Sequence, residues 1–177
     1  MRIVGGVFKG RVLKSFDGDK VRPTSDMARE SLFNILRDRI SGAKFLDLFC
    51  GTGAMGIEAL SRGAEFVAFN DYSRDSVSLT KQNLEKLGIR DRVRVHTLDA
   101  TVLLGSIGED FDIVFMDPPY KSDVGVKALN LVINVLNEGG IVILENEEGF
   151  DGEIAGLIKY DVRKYGRARF TFFKKEA

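Results

Sequence analysis

The sequence predicts an α/β fold: a doubly wound, mostly parallel, Rossmann-like sheet. Three observations predict it. Short apolar, β-branched runs alternate with stretches of helical spacing from Lys44 onward. A glycine turn, Gly51-Thr52-Gly53-Ala54-Met55-Gly56, joins the first run to a helix. Carboxylates recur at four expected strand ends, at Asp47, Asp71, Asp99 and Asp117. Alternation of this kind implies parallel strands joined by crossover helices.

The elements follow in order. Residues 2–13 alternate loosely between glycines and predict a small hairpin, too short to hold a core of its own. A polar linker, residues 15–21, leads to a helix over 26–40 capped by Thr24 or Ser25, with Ala28, Leu32, Ile35 and Leu36 as its apolar stripe. The expected organisation is a basic hairpin and linker at 1–21 and a main domain at 22–177. Strands are predicted over 44–49, 65–70, 92–98, 111–116 and 141–144, with helices through Arg62, over 73–87 and over 124–136. A further helical stretch precedes an antiparallel pair, 159–165 and 168–174, turning at Gly166-Arg167.

Composition narrows the class. The 177 residues suit one core, and 44% hydrophobic with 29% charged residues is ordinary for a soluble chain. The start lacks a long apolar segment and no run approaches a membrane span, so a cytoplasmic protein is expected. A single cysteine, Cys50, excludes an internal disulfide and a multi-cysteine metal site; it reads as a small buried residue. No metal site is expected. His96, the one histidine, lies within a strand and reads as structural. Net charge is zero, but residues 1–44 carry ten Lys/Arg against five Asp/Glu and residues 159–177 seven against two, leaving nine against nineteen between them. Basic ends around an acidic centre point to polyanion contact near the termini and a cationic ligand in the middle.

The stretch Asp117-Pro118-Pro119-Tyr120 carries the most chemistry. Two prolines after a buried strand cannot continue a ladder, and they hold the exit loop stiff and extended. Asp117 and the Pro118 carbonyl can then accept the two N–H bonds of an exocyclic base amine, and Tyr120 can stack on the ring. Gly51-x-Gly53-x-x-Gly56 also fits a dinucleotide fingerprint, with Asp71 near the expected ribose-binding position. Four acids at one sheet rim would repel a pyrophosphate. They suit S-adenosylmethionine instead, with Asp47 toward the methionine end, Asp71 toward the ribose hydroxyls and Asp99 toward the adenine amine.

The run Asp47-Leu48-Phe49-Cys50-Gly51-Thr52-Gly53-Ala54-Met55-Gly56-Ile57-Glu58-Ala59-Leu60 resembles the first motif of class I methyltransferases, and Asp117-Pro118-Pro119-Tyr120 their amino-methylating motif. Arg22-Pro23-Thr24, Asp26, Arg29-Glu30 and Leu32-Phe33-Asn34 closely resemble the N-terminal signature of the bacterial RsmD family, and Arg2-Ile3-Val4-Gly5-Gly6 and Lys9-Gly10-Arg11 fit it. Asp71 stands where that family usually has Glu, and Cys50 where a small Ala is common. The resemblance implies methylation of the N2 amino group of a guanine in 16S ribosomal RNA, within an assembled or assembling small subunit, by a monomer. It further implies Asp117, Pro118 and Tyr120 as catalytic. The cofactor would rest on Asn34, Asp47, Gly51, Gly53, Asp71, Asp99 and Ala100, with Phe33 either beside it or in the core. Arg2, Lys9, Arg11, Arg22 and Arg29 would hold RNA phosphates, with the basic C-terminal strands as a possible extension. A DNA adenine-N6 methyltransferase shares the four-residue loop but generally needs an added target-recognition segment. A methyltransferase acting on protein glutamine normally has Asn at the Asp117 position. A non-catalytic RNA-binding module needs no such loop.

Overall fold

The computed structural model describes residues 1–18 and 24–177, so Arg22, one of the expected phosphate contacts, lies outside the described residues. Seven strands form one sheet: β1 (Lys44–Asp47), β2 (Phe66–Asn70), β3 (Val93–His96), β4 (Phe111–Met116), β5 (Leu136–Asn146), β6 (Leu157–Tyr165) and β7 (Ala168–Lys175). Their order is β3-β2-β1-β4-β5-β7-β6. The first five run parallel, while β7 pairs antiparallel with both β5 and β6. The chain moves outward from β1 to β3, crosses back to β4, and proceeds the other way. The reversal lies between β1 and β4, where an open α/β sheet forms a ligand crevice at its C-terminal strand ends.

The pleat sorts the side chains. Phe45, Phe69, Phe115, Ile143, Phe170 and Phe172 face one layer, formed by α1 (Asp26–Ile35), α3 (Ala54–Ser61), α4 (Arg74–Lys86) and the N-terminal segment. Leu46, Val114, Met116, Val142 and Leu144 face the other, formed by α5 (Ala100–Ser106) and α6 (Val124–Leu131). Each fully buried phenylalanine contributes about 2–3 kcal/mol by leaving water. Among the described residues no helix is long and apolar enough to cross a membrane.

Four expectations are corrected. The helix expected over 26–40 breaks at Leu36, and a short α2 (Arg37–Ile40) follows. The strand β5 begins at Leu136, earlier than expected, with a register shift against β4 between Phe111 and Ile113. The last turn of the helix expected to reach Leu136 is a 3-10 segment, Val132–Val135. Residues 147–156 are not helical, since Gly149 and Gly156 adopt φ of +80° and +79°, outside the helical region. One helix was not expected: α5, whose first turn is capped by Asp99. The N-terminal hairpin is reduced to a single antiparallel bridge, Arg2 to Val12, and lies along α3.

Candidate active site

Three carboxylates gather at the ends of neighbouring strands, Asp117 and Glu145 level with one another and Asp47 two residues deeper. Asp47 ends β1, Asp117 directly follows β4, and Glu145 stands near the end of β5. Phe115 is in register with Asp47 on one side and with Ile143 on the other, so Asp117 and Glu145 sit at the same level. By the two-residue alternation all three belong to the face of Phe115 and Ile143. Asp47 is buried: Oδ2 accepts from the Gly56 N–H at 3.0 Å, while Oδ1 has no partner among the described residues. Burial, opposed in part by that bond, and the Asp71 and Glu145 charges push its pKa up to about 7. Asp117 is raised well above the ordinary carboxylate range, by desolvation first and then by Glu145 and Asp47. Because one side of Asp117 reaches solvent, the repulsion is the firmer cause. Glu145 is 8% exposed and also raised by burial, opposed by the Thr24 hydroxyl, which donates to Oε2 at 2.6 Å. Sequence reasoning missed Glu145, because no local motif marks a residue whose neighbours come from other strands.

The glycine loop closes against this row. Gly51 and Gly53 have φ of +54° and +83°, which lets the chain leave β1 and enter α3 within one turn. Helix α4 fixes the loop from behind: the Thr80 hydroxyl donates to the Gly51 carbonyl at 2.9 Å and Asn83 Nδ2 to the Thr52 carbonyl at 2.9 Å. Asp71 accepts the Gly51 N–H at 2.9 Å and the Ser73 N–H at 2.9 Å; each carboxylate oxygen has a second lone pair for an incoming hydroxyl. Asn70 ties the strand ends together by donating to the carbonyls of Leu48 and Leu98. Asp99 accepts from the N–H groups of Thr101 and Val102 and from the Thr101 hydroxyl, which lowers its pKa and presents it on the exposed side of α5, with Ala100 buried beside it. Cys50 lies against Thr80 Oγ1 at 3.3 Å, its thiol pushed up by burial and by Asp47, in keeping with the small buried residue expected.

The exit loop is held from α6. A Cβ placed on Gly125 would come within 2.7 Å of Pro118 Cγ, so only glycine lets the helix seat the proline this closely. Tyr120 is 68% exposed, and its hydroxyl donates to Glu148 Oε1 at 3.2 Å. Lys121 stands 5.4 Å from the Tyr120 ring centroid. The Lys121 ammonium thus lies over one face of the ring, and the side chain is otherwise exposed.

Other expected site residues lie elsewhere. Arg29 is corrected: at 1% exposure it cannot reach a phosphate. It donates to the Arg2 carbonyl and to Asp26 Oδ1, and its Nε lies 3.6 Å from the buried Glu58. Glu58 in turn accepts the Val4 and Gly5 N–H groups and Arg62 Nε. Phe33 is core, stacked on Phe45 at 6.2 Å. Asn34 is exposed on the half of α1 leading away from Thr24 and the crevice. Arg2, Lys9 and Arg11 are exposed, but the segment runs down α3 toward Ser61, and Arg11 reaches the Lys86 carbonyl at the far end of α4. By contrast, the β6–β7 turn returns to the crevice side, because Arg169 pairs with Asn146 at the end of β5. It brings exposed Lys164 and Arg167 to that rim. Among the described residues no cluster could hold a metal ion.

Comparison with known proteins bears on this arrangement. A family model described as Conserved hypothetical protein 95 matches residues 1–174. The chain is 32% identical over 185 residues to Ribosomal RNA small subunit methyltransferase D of Escherichia coli K12, covering 100% of this chain and 91% of that protein. It is 32% identical over 153 residues to the Haemophilus influenzae protein of the same name, covering 84% and 79%. Among solved structures, the yhhF protein of Escherichia coli superimposes with a TM-score of 0.88 at 30% identity, covering 100% and 98%.

Proposed function

From the premise that the chain belongs to the RsmD family, the one described as Conserved hypothetical protein 95, we propose that this ribosomal RNA small-subunit methyltransferase moves a methyl group from S-adenosylmethionine to the N2 amino group of a 16S guanine. The observation that carries this reading is the row of Asp47, Asp117 and Glu145 beside a glycine loop and a proline-stiffened exit. Burial raises the pKa of all three, the Glu145 charge raises Asp47 and Asp117 further, and carboxylates so placed are relieved by a cation near Asp47 and by N–H donors at Asp117 and Glu145. The loop fits a nucleotide-bearing cation: a Cβ on Gly51 would meet nothing within 4 Å, and the Asp47 Oδ1 atom is buried without a partner among the described residues. Asp47, Gly51, Gly53, Asp71, Asp99 and Ala100 would hold S-adenosylmethionine, which supplies an electrophilic methyl group when bound.

The chain's own work is placement and charge. Asp117 and the Pro118 carbonyl accept the two N2 hydrogens, which favours the pyramidal amine and stabilises the positive charge developing on nitrogen. Tyr120 stacks on the extruded base, worth about 1–3 kcal/mol. The proton lost from N2 passes to the carboxylate row or to water. Exposed Arg2, Lys9 and Arg11 on the 1–21 appendage and Lys164 and Arg167 on the turn contact phosphates of the flanking RNA, with recognition resting on shape. The enzyme works in the cytoplasm as a monomer.

Labelled donor offered side by side to naked 16S RNA, small subunits and DNA tests the reading. Incorporation into 16S RNA as N2-methylguanine is expected; label confined to adenine in DNA would overturn it. Asp117→Ala is expected to lower turnover by about a thousandfold while donor binding by isothermal titration persists. Near-normal turnover would remove Asp117 from its assigned role.

A further inference from the structure

We infer that Glu145 accepts the N1–H of the target guanine, next to the N2 amine held by Asp117, and thereby selects guanine over adenine. This rests on the proposed reaction at guanine N2. Four observations carry it. Glu145 and Asp117 occupy neighbouring positions on one face of adjacent parallel strands, since Met116 is in register with Leu144. Neighbouring strands lie about 4.8 Å apart, a spacing that two adjacent donors on one base can bridge. Glu145 is 8% exposed and its orientation is fixed, because Thr24 at the entry to α1 donates to Oε2 at 2.6 Å. Its other oxygen, Oε1, accepts no hydrogen bond among the described residues, the Thr24 hydroxyl being bound to Oε2 alone.

The chemistry of the two purines decides the rest. The Watson–Crick edge of guanine presents N1–H and the N2 amino group side by side, both donors. Two adjacent carboxylates match that pair. Adenine presents its amino group beside N1, which is an acceptor. An ionised Glu145 would face the N1 lone pair, and a buried site built to accept a hydrogen bond rejects a partner that cannot donate one. The four-residue exit loop grips an amine on either base. Glu145 is the group that tells them apart.

The test uses 2-aminopurine, which keeps the 2-amino group but has an unprotonated N1. The target position is first mapped by mass spectrometry of small subunits methylated by the wild-type chain. Absence of N2-methylguanine there would refute the proposed reaction and not this inference alone. Subunits are then reconstituted with guanine or 2-aminopurine at that position, and kcat/KM is compared. The wild type is expected to favour guanine by about 100-fold or more. Glu145→Gln, whose amide can donate to N1, is expected to narrow the ratio by about tenfold, with donor affinity within about twofold of wild type. The missing O6 affects both enzymes, so the change in ratio isolates N1. Glu145→Ala, which removes the acceptor without adding a donor, should narrow the ratio too and serves if the glutamine variant fails to fold. A ratio changed by less than about threefold in the folded variant, or a loss confined to donor affinity, would overturn the inference.

Discussion

At Asp47 the proposed contact with the methyl donor comes at the expense of stability. Its pKa of about 7 in the fold exceeds the ordinary 3.8, so the folded chain holds this proton more tightly than the unfolded chain. The stabilising effect is complete below about pH 4 and is lost as pH rises through about 7. Asp47→Asn, which keeps an acceptor for the Gly56 N–H, should therefore raise the melting temperature at pH 8 more than at pH 5. The gain is on the order of a few kcal/mol at most. Donor affinity should fall in the same variant. Equal shifts at both pH values in thermal unfolding would show that Asp47 titrates as an ordinary carboxylate. Asp47 and Asp117 were legible in the sequence because each follows a recognisable apolar run.

At the scale of elements, the N-terminal segment, α1 and α3 are locked by one buried charge network. Arg29 and Glu58 are each 1% exposed, and Glu58 holds two backbone N–H groups of the segment. Arg29→Ala removes the guanidinium that bonds the Arg2 carbonyl and Asp26 while Glu58 keeps Arg62, so it should cost about 1–3 kcal/mol in denaturant unfolding. Its RNA affinity, measured below the melting point, should keep the wild-type salt dependence. The expectation that Arg29 touches RNA failed for a physical reason: its charge is visible in sequence, but its burial depends on where α3 lies. Helix α6 offers a second check. Gly125→Ala should improve helix propensity by about 1 kcal/mol, yet push on Pro118 and reduce turnover by about tenfold. Unchanged turnover in steady-state kinetics would mean that the exit loop tolerates the shift.

For the whole molecule, the charge division survives folding in altered form. The basic N-terminal segment runs down α3 away from the crevice, whereas the C-terminal turn returns to it. Arg167→Gln should weaken binding to small subunits and reduce the slope of log K against log salt by about 1. Thermal stability should be unaffected, since Arg167 is exposed. An identical slope measured over a salt series would place the RNA elsewhere.

The sequence by itself determined the alternation of strands and helices, the glycine loop, the exit loop and the acids that end strands, because each is written in contiguous residues with a local physical signature. It also announced a helical stretch before the final strand pair, which Gly149 and Gly156 forbid, and did not announce α5, which Asp99 caps. Only the tertiary structure decided that Glu145 joins Asp47 and Asp117, that Arg29 is buried, and that the basic turn at Arg167 faces the crevice. Those facts depend on the order β1-β4-β5-β7, which brings together residues far apart in the chain. Strand order is set by which layers cover which faces, and no window of neighbouring residues encodes that.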